Sequence, residues 1–469
     1  MAFGTTSSIG KLQPVNYIPK VYSSPQSREQ RPRRGKVAPL WEAWKRYSST
    51  LHLTSSQSHF ADVFFHGDNC LLSGEAGSGK SYLVKALVDF LRQHRVNVAV
   101  TGSTGVASFN IGGQTLHSFA GLGLADEPTD QLIASVRKKG KVKERIRATH
   151  VLFLDEVSMI KGELLDKVNA VFRAIRFNNE PFGGCQVVFI GDWLQLAPVF
   201  KGQEMQELAF ESLSWRAADI QTVVLKEQMR QQSDKVLLSV LNDIRTGNTS
   251  SLRLLDARID AAFPQDGIEP VRIFCKNVDV DGHNKERLRM LSTPAKVFQA
   301  SDTGSDYHLA SLDKNCPAPK WLELKIGAQV MCLANQDVGM GVCNGSIGIV
   351  KEFVNGGVKV KFPKITTIIT HNEWSMRDQE VGVDGKMMAK VKATRSQIPL
   401  KVCYAVTVHK VQGTTLDRAI VDMAEAFAAG QAYCALSRVR DLESLSIVGS
   451  IPKSAIKVDP RCIEFYKGC

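Results

Sequence analysis

From about residue 50 the chain alternates short apolar runs with stretches whose apolar positions recur at helical spacing. Cys70–Ser73 reads as a strand, Ser81–His94 as a helix and Val96–Thr101 as the next strand. Val151–Leu154 and Gln186–Ile190 read as two more strands, with the helical Gly162–Arg176 between them. Alternation of this kind builds a parallel sheet with helices on both faces. Near Val330 the texture changes. Gly327–Phe362 carries short strands punctuated by Gly339, Gly341, Gly345, Gly348, Gly356 and Gly357, which predicts a small β-barrel-like module. Strand–helix alternation resumes at about Leu400, and no repeat of fixed period is visible.

Composition narrows the picture. A chain of 469 residues with 43% hydrophobic and 23% charged residues has material for more than one core. No apolar run is long enough to predict a bilayer span. The ten cysteines include no Cys-x-x-Cys pair, so neither a zinc site nor a disulfide framework is expected, and the scatter suits a reducing compartment. The net charge of +12 is unevenly placed: residues 1–50 hold nine Lys or Arg against Glu29 and Glu42. A basic chain suits a polyanionic partner, and a solvated tail explains the same charge equally well. Residues 1–49 are expected to be a basic, disordered segment. Its first part is nearly free of acids, as mitochondrial presequences are, although Pro14 and Pro19 interrupt any helix there.

The chemistry starts at Gly74-Glu75-Ala76-Gly77-Ser78-Gly79-Lys80-Ser81, which fits G-x-x-x-x-G-K-[ST] between a strand and a helix. The glycines let backbone N–H groups turn inward around phosphates, and the helix N-terminus adds partial positive charge. Lys80 is placed to reach the β- and γ-phosphates and Ser81 to ligate Mg²⁺. Asp155 and Glu156 end the strand Val151–Leu154. The first suits holding Mg²⁺, and the second suits orienting or deprotonating an attacking water. Two carboxylates, a metal and a water point to hydrolysis. The strand at Val187–Ile190 ends in Gly191-Asp192-Trp193-Leu194-Gln195, where Gln195 can sense the γ-phosphate. A second cluster follows much later, His409–Thr415 and then Gln431–Arg438. An arginine reaching across a cleft would tie hydrolysis to closure, but nothing in the sequence physics singles out Arg438.

In their order these residues resemble the Pif-type (petite integration frequency) DNA helicases. These belong to the 5′-to-3′ branch of superfamily 1 and are related to the RecD helicases. The likeness runs from about Leu53 to about Val448. Leu53–Gln57 is similar to the adenine-recognition segment, with Gln57 the matched glutamine. Thr101–Ala107 and Gly112–Phe119 resemble the first DNA-contacting motifs, and Gly162–Cys185 the family's signature segment. Gly191–Val199 resembles the γ-phosphate sensor, with Trp193 where Phe is usual. Leu225–Gln231 matches the next motif and makes Arg230 the first arginine finger. Gly327–Met331 with Asn344–Gly348 resembles the small inserted domain. His409–Thr415 and Gln431–Arg438 match the last two motifs, which brings Gly413 to the nucleotide and makes Arg438 the second finger.

The resemblance implies an α/β fold with two RecA-like P-loop parallel-sheet motor domains and a small β-rich, SH3-like inserted domain. It places the first motor domain at residues 50–230, with a wedge-like insertion at about 105–130. The second falls at 231–325 and 400–469, and the inserted domain at 326–399. ATP and Mg²⁺ are the implied cofactors. Catalysis is carried by Lys80, Glu156, Gln195, Arg230 and Arg438, and the nucleotide is held by Gln57, residues 74–81 and Gly413. Ser81 and Asp155 serve the metal. Thr104, His117, Phe119, His409 and Lys410 are the residues expected to touch DNA, with Phe119 read also as at least partly core and His117 and His409 open to a structural hydrogen-bonding role. Partners are single-stranded DNA and forks, with RNA–DNA hybrids and G-quadruplexes as further substrates, for a monomeric motor in the nucleus or mitochondrion of a eukaryote. The basic run Arg137–Arg147 is open to two readings, duplex phosphates ahead of the fork or a solvated helix face. The rival classes are a P-loop kinase or switch, and an ATP-binding DNA clamp that does not unwind.

Overall fold

The computed structural model describes residues 35–469 apart from 111, 201–205, 232–233, 276–279, 337–341 and 425. The acid-poor N-terminal part and Gly339 and Gly341 therefore lie outside the described residues.

Six strands form the first sheet: β1 (Cys70–Gly74), β2 (Val98–Gly102), β3 (Gln114–Thr115), β4 (Val151–Asp155), β5 (Gln186–Gly191) and β6 (Gln221–Leu225). Their order is β3-β2-β4-β5-β1-β6, and every pairing is parallel. β1 and β2 are buried along their whole length because helices cover both faces of the sheet. The helix Lys80–Gln93 follows β1 across the loop 75–79, and Gly79 enters it with φ +85°, a conformation costly for any residue with a β-carbon. Carboxyl ends of β1, β4 and β5 therefore open on one edge, where parallel α/β sheets bind ligands.

A second parallel sheet orders its strands Ala405–Thr407, Val271–Phe274, Ala419–Val421 and Leu445–Ile447. Between Phe274 and Ala405 the chain leaves this sheet for antiparallel structure. Five strands, in the order Thr366–Thr370, Gly357–Lys361, Ile347–Val354, Gln329–Cys332 and Leu400–Val402, enclose a core that includes Val330, Val350, Val358 and Val360. The strands Ala295–Gln299, Ser301–Gly304 and Trp321–Lys325 also pair outside the parallel sheet. By strand membership the interruption runs from 295 to 402, wider than the 326–399 expected. The earlier strands escape a pattern reading because Ala295–Gln299 is exposed on nearly every residue. The long hairpin Asn372–Val381 with Met387–Gln397 reaches back to the first domain, where Asn97 Nδ2 donates to Gly385 O (3.1 Å) and Met387 N to Asn97 Oδ1 (2.8 Å).

Two further expectations need correction. The wedge-like insertion at about 105–130 is integral to the first domain over its first half. Gly105–Asn110 and Leu116–Ala120 are helices, and β3 between them is the sheet's edge strand. What projects there is a turn in which Leu124 is 84% exposed. Of the segment 1–49, expected to be disordered, the described residues 35–49 are structured. Trp41–Ser48 is a helix in which Trp44 is buried, its ring 5.2 Å from Phe90 and 5.5 Å from Phe65. Val37, Leu40, Trp41, Trp44 and Tyr47 recur at helical spacing, while Lys45 and Arg46 face outward. Trp44→Ala is expected to cost about 3–5 kcal/mol, read as a lower urea midpoint. Removing Lys45, whose partner Glu42 is exposed, should cost less than about 1 kcal/mol.

Candidate nucleotide-binding cleft

One cleft of about 610 Å³ lies between the two parallel-sheet domains, lined by residues 76–82, Glu156, Gln195, Met229, Arg230, Gly413, Thr415, Arg438 and Arg440. The first domain supplies the floor. Lys80 Nζ donates to Gly74 O (2.7 Å) and Glu75 O (2.9 Å), folding back over its own loop. Desolvation lowers the Lys80 pKa against the pull of Asp192 and Glu156. The Ser78 hydroxyl is buried without a hydrogen-bond partner, as expected of a loop shaped around a ligand. Gln57 caps its own helix: its Oε1 accepts from Thr54 N (2.9 Å), and its Nε2 lies against Gly79 O (3.5 Å) at the loop's rim.

Asp155 and Glu156 stand where β4 ends. Burial raises both carboxyls above their usual range, and the Asp155 charge adds to the effect on Glu156. Glu156 has φ +55° and ψ +48°, a left-handed conformation that costs a residue with a side chain of order 1–3 kcal/mol. The surrounding fold must over-determine it. Ser81, exposed in the cleft, and Asp155 offer a hydroxyl and a carboxylate at the loop's mouth, a donor set that fits a hard, oxygen-preferring divalent ion.

The other wall is cationic. Arg230 is half-buried, with Nη1 donating to Ser437 O (3.1 Å), and burial and the Arg438 charge push its pKa down. Arg438 is 1% exposed, its Nε donating to Cys434 O (2.7 Å) and its Nη2 to Ser437 Oγ (2.6 Å). Among the described residues neither guanidinium forms an ion pair: carbonyls and a hydroxyl hold them, and their positive charge lines the cleft beside the loop. An anion satisfies it.

Several contributors went unrecognised in the sequence. Arg440 joins the cleft two residues beyond the matched motif. Tyr433 Oη accepts from the loop's Ala76 N (3.0 Å). Gly430 brings the second domain so close that an added β-carbon would sit 2.3 Å from Gln195 O. Gln195 Nε2 itself lies 3.3 Å from Asp192 Oδ2, and Asp192 is paired with Arg245 (2.8 Å). Gln412, within the His409–Thr415 motif, donates from Nε2 to Glu156 Oε2 (3.0 Å).

The DNA-contact expectations divide. His409 and Lys410 are exposed on the turn after Ala405–Thr407. His117 is half-buried, and desolvation lowers its pKa, which favours the neutral ring. Thr104 spends its hydroxyl accepting from Ala107 N (3.2 Å), capping the helix that follows. Phe119 takes the core reading and leaves the DNA-contact set: it is fully buried, 6.2 Å from Phe172 and beneath the Arg145 guanidinium, because its short helix turns Leu116, Phe119 and Ala120 into the core. Of the Lys and Arg in the basic run only Arg145 is buried, while Arg137, Lys138, Lys139, Lys141 and Arg147 are exposed and some of them make contacts within the protein. Arg145 is buried and donates to Phe119 O (2.8 Å), Lys139 donates to Gly121 O (2.7 Å), and Lys141 pairs with Glu380 of the long hairpin (3.1 Å). Among the described residues no helix is long and apolar enough to cross a membrane.

A glycine loop, an acid pair and Arg230 on one parallel-sheet domain, facing Arg438 of a second, define a two-domain P-loop protein of RecA-like build. The chain matches the model of the PIF1-like helicase family over residues 54–254, and that of the DNA helicase Pif1 2B domain over 308–353. It is 37% identical over 426 residues to the human ATP-dependent DNA helicase PIF1, covering 89% of this chain and 64% of that protein. The crystal structure of Pif1 helicase from Candida albicans is 34% identical, with TM-score 0.69 over 89% of this chain and 99% of that one. A Pif1 helicase from Bacteroides, in complex with ADP-AlF3 and ssDNA, is 27% identical, with TM-score 0.58 over 89% and 97% of the two chains. The chain belongs to the PIF1-like helicase family. It spans less than two thirds of the human relative's length.

Proposed function

We propose that the chain is an ATP-dependent motor that moves 5′-to-3′ along single-stranded DNA and separates duplexes. The observation that carries this is the cleft, where Lys80, Glu156, Gln195 and Arg230 on the first domain face Arg438 of the second. A triphosphate there would bridge both walls, and loss of its terminal phosphate would weaken the hold of the arginines. Nucleotide cleavage thereby becomes relative motion of two domains, which a kinase or switch does not need.

The residues take these roles. Loop N–H groups and Lys80 hold the β- and γ-phosphates, and the unpartnered Ser78 hydroxyl supports a ligand in that place. Ser81 and Asp155 would hold Mg²⁺, which when bound neutralises charge on the phosphates. Glu156 orients and deprotonates water, Gln195 reports the γ-phosphate, and Gln57 and Gly413 flank the nucleotide. The exposed His409 and Lys410, with Thr104 and His117, form the strand-facing set. The track is supported by the Bacteroides relative, whose complex holds ssDNA and a nucleotide analogue together. Forks are the natural substrate of such a motor, and RNA–DNA hybrids and G-quadruplexes present strands of the same chemistry. One chain supplies every residue named, so a monomer suffices.

The test is strand displacement on 5′-tailed and 3′-tailed duplexes beside ATP turnover. Activity is expected on 5′ tails alone, and Lys80→Ala should abolish it. Displacement confined to 3′ tails overturns the polarity, and displacement that survives Lys80→Ala overturns the motor.

A further inference from the structure

The turn at residues 408–413 has two faces. Its backbone is closed by Lys410 N and Val411 N donating to Thr407 O (3.0 and 3.2 Å) and by Thr414 N donating to Val411 O (3.0 Å). Val408 and Val411 are buried in the second domain's core and anchor it there. On the outer face, His409 and Lys410 are exposed. On the inner face, the half-buried Gln412 crosses the cleft and its amide nitrogen donates to Glu156 Oε2 at 3.0 Å. The same turn touches the second arginine, whose Nη1 lies 3.4 Å from Val411 O and 3.5 Å from Thr414 O. One short segment thus joins the strand-facing surface to the carboxylate that handles water.

This contact bears on hydrolysis. A carboxylate oxygen engaged by an amide N–H is a poorer proton acceptor, and here the bond also ties Glu156 to the opposite domain. Glu156 already sits in an unfavourable backbone conformation, so its side-chain direction depends on what holds it. A strand gripping His409 and Lys410 must load the turn that carries Gln412.

We infer that Gln412 is a positioning residue that restrains Glu156 while the outer face of its turn is empty, and that strand binding there releases the carboxylate to accept a proton from the attacking water. This rests on the motor reading given above. It adds the route by which the track switches hydrolysis on.

The experiment is steady-state ATP turnover by the full chain, with and without an oligothymidylate strand. Gln412→Leu removes the donor, and Gln412→Asn shortens the side chain by one methylene so that it falls short of Glu156. Both variants are expected to raise strand-free kcat about tenfold, the scale of one hydrogen bond to a charged group, with KM for ATP unchanged. Strand-saturated kcat should stay within about twofold of the parent, so the stimulation ratio collapses. A folded variant whose strand-free kcat is unchanged overturns the coupling. Equal falls in kcat with and without strand overturn it as well, because they would mean that Gln412 aligns Glu156 for catalysis. A parent chain indifferent to added strand overturns the motor reading and takes this inference with it.

Discussion

Glu156→Gln is expected to lower ATP turnover by between about 10² and 10⁴-fold while leaving nucleotide affinity undiminished. The carboxamide fills the same space at the end of β4 and keeps an oxygen that can accept from Gln412. What it loses is the capacity to take a proton from water. Binding rests on other groups, namely the loop N–H donors, Lys80 and the two arginines, none of which the change touches. Removing a negative charge beside a triphosphate should tighten binding if it changes it at all. Lys80→Ala, by contrast, should weaken binding and turnover together. Phosphate release and the affinity of a fluorescent nucleotide, measured on both variants, separate the two roles. Turnover in Glu156→Gln above about a tenth of the parent's would move the base assignment to another group.

The parts of this site that could be read along the chain are those whose chemistry is local. The phosphate loop declares itself because strand, glycines, Lys80 and helix are contiguous. The acid pair does so because four apolar residues deliver it to a strand end. Arg230 and Arg438 were legible only through resemblance, since an arginine's role depends on what lies across a cleft more than 200 residues away in the chain. Phe119 had two readings along the chain, motif contact and core, and a five-residue helix with Leu116 and Ala120 on the same side leaves the ring nowhere to go but inward. Trp44 was readable, because its stripe has helical spacing, but the charge count of the segment concealed it. Tyr466 had no signal at all. It lies in the last helix, Pro460–Lys467, whose Cys462 and Phe465 pack into the first domain's core beside Trp193 and Trp215.

That last helix meets the second domain at Asp192, and Asp192→Ala is expected to destabilise the protein by about 3–5 kcal/mol at neutral pH. The side chain is fully buried. Arg245 of the second domain donates to it through Nη2 (2.8 Å) and Nε (3.2 Å), and Tyr466 Oη donates to Oδ1 (3.1 Å). Trp193 N in turn donates to Tyr466 Oη (3.2 Å), so the carboxylate sits at the junction of both domains and the final helix. Truncation leaves Arg245 buried without its counter-charge, which is the costly way to break an ion pair. Tyr466→Phe, which deletes one hydroxyl, should cost nearer about 1 kcal/mol. The pH dependence has a definite sign. Burial alone would raise the Asp192 pKa, but Arg245, with help from Lys80, holds it below the usual carboxylate value. A depressed native pKa stabilises the fold fully above the unfolded value near 4 and is lost as pH falls through the native one. Urea unfolding should therefore show a constant gap between parent and Asp192→Ala from pH 7 to about pH 5, closing only below about pH 4. Turnover should fall further than stability predicts, because Gln195 loses the carboxylate that lies 3.3 Å from its amide. A neutral-pH loss below about 1 kcal/mol would mean that Arg245 finds water once Asp192 is gone, and that the domains are not joined at this point.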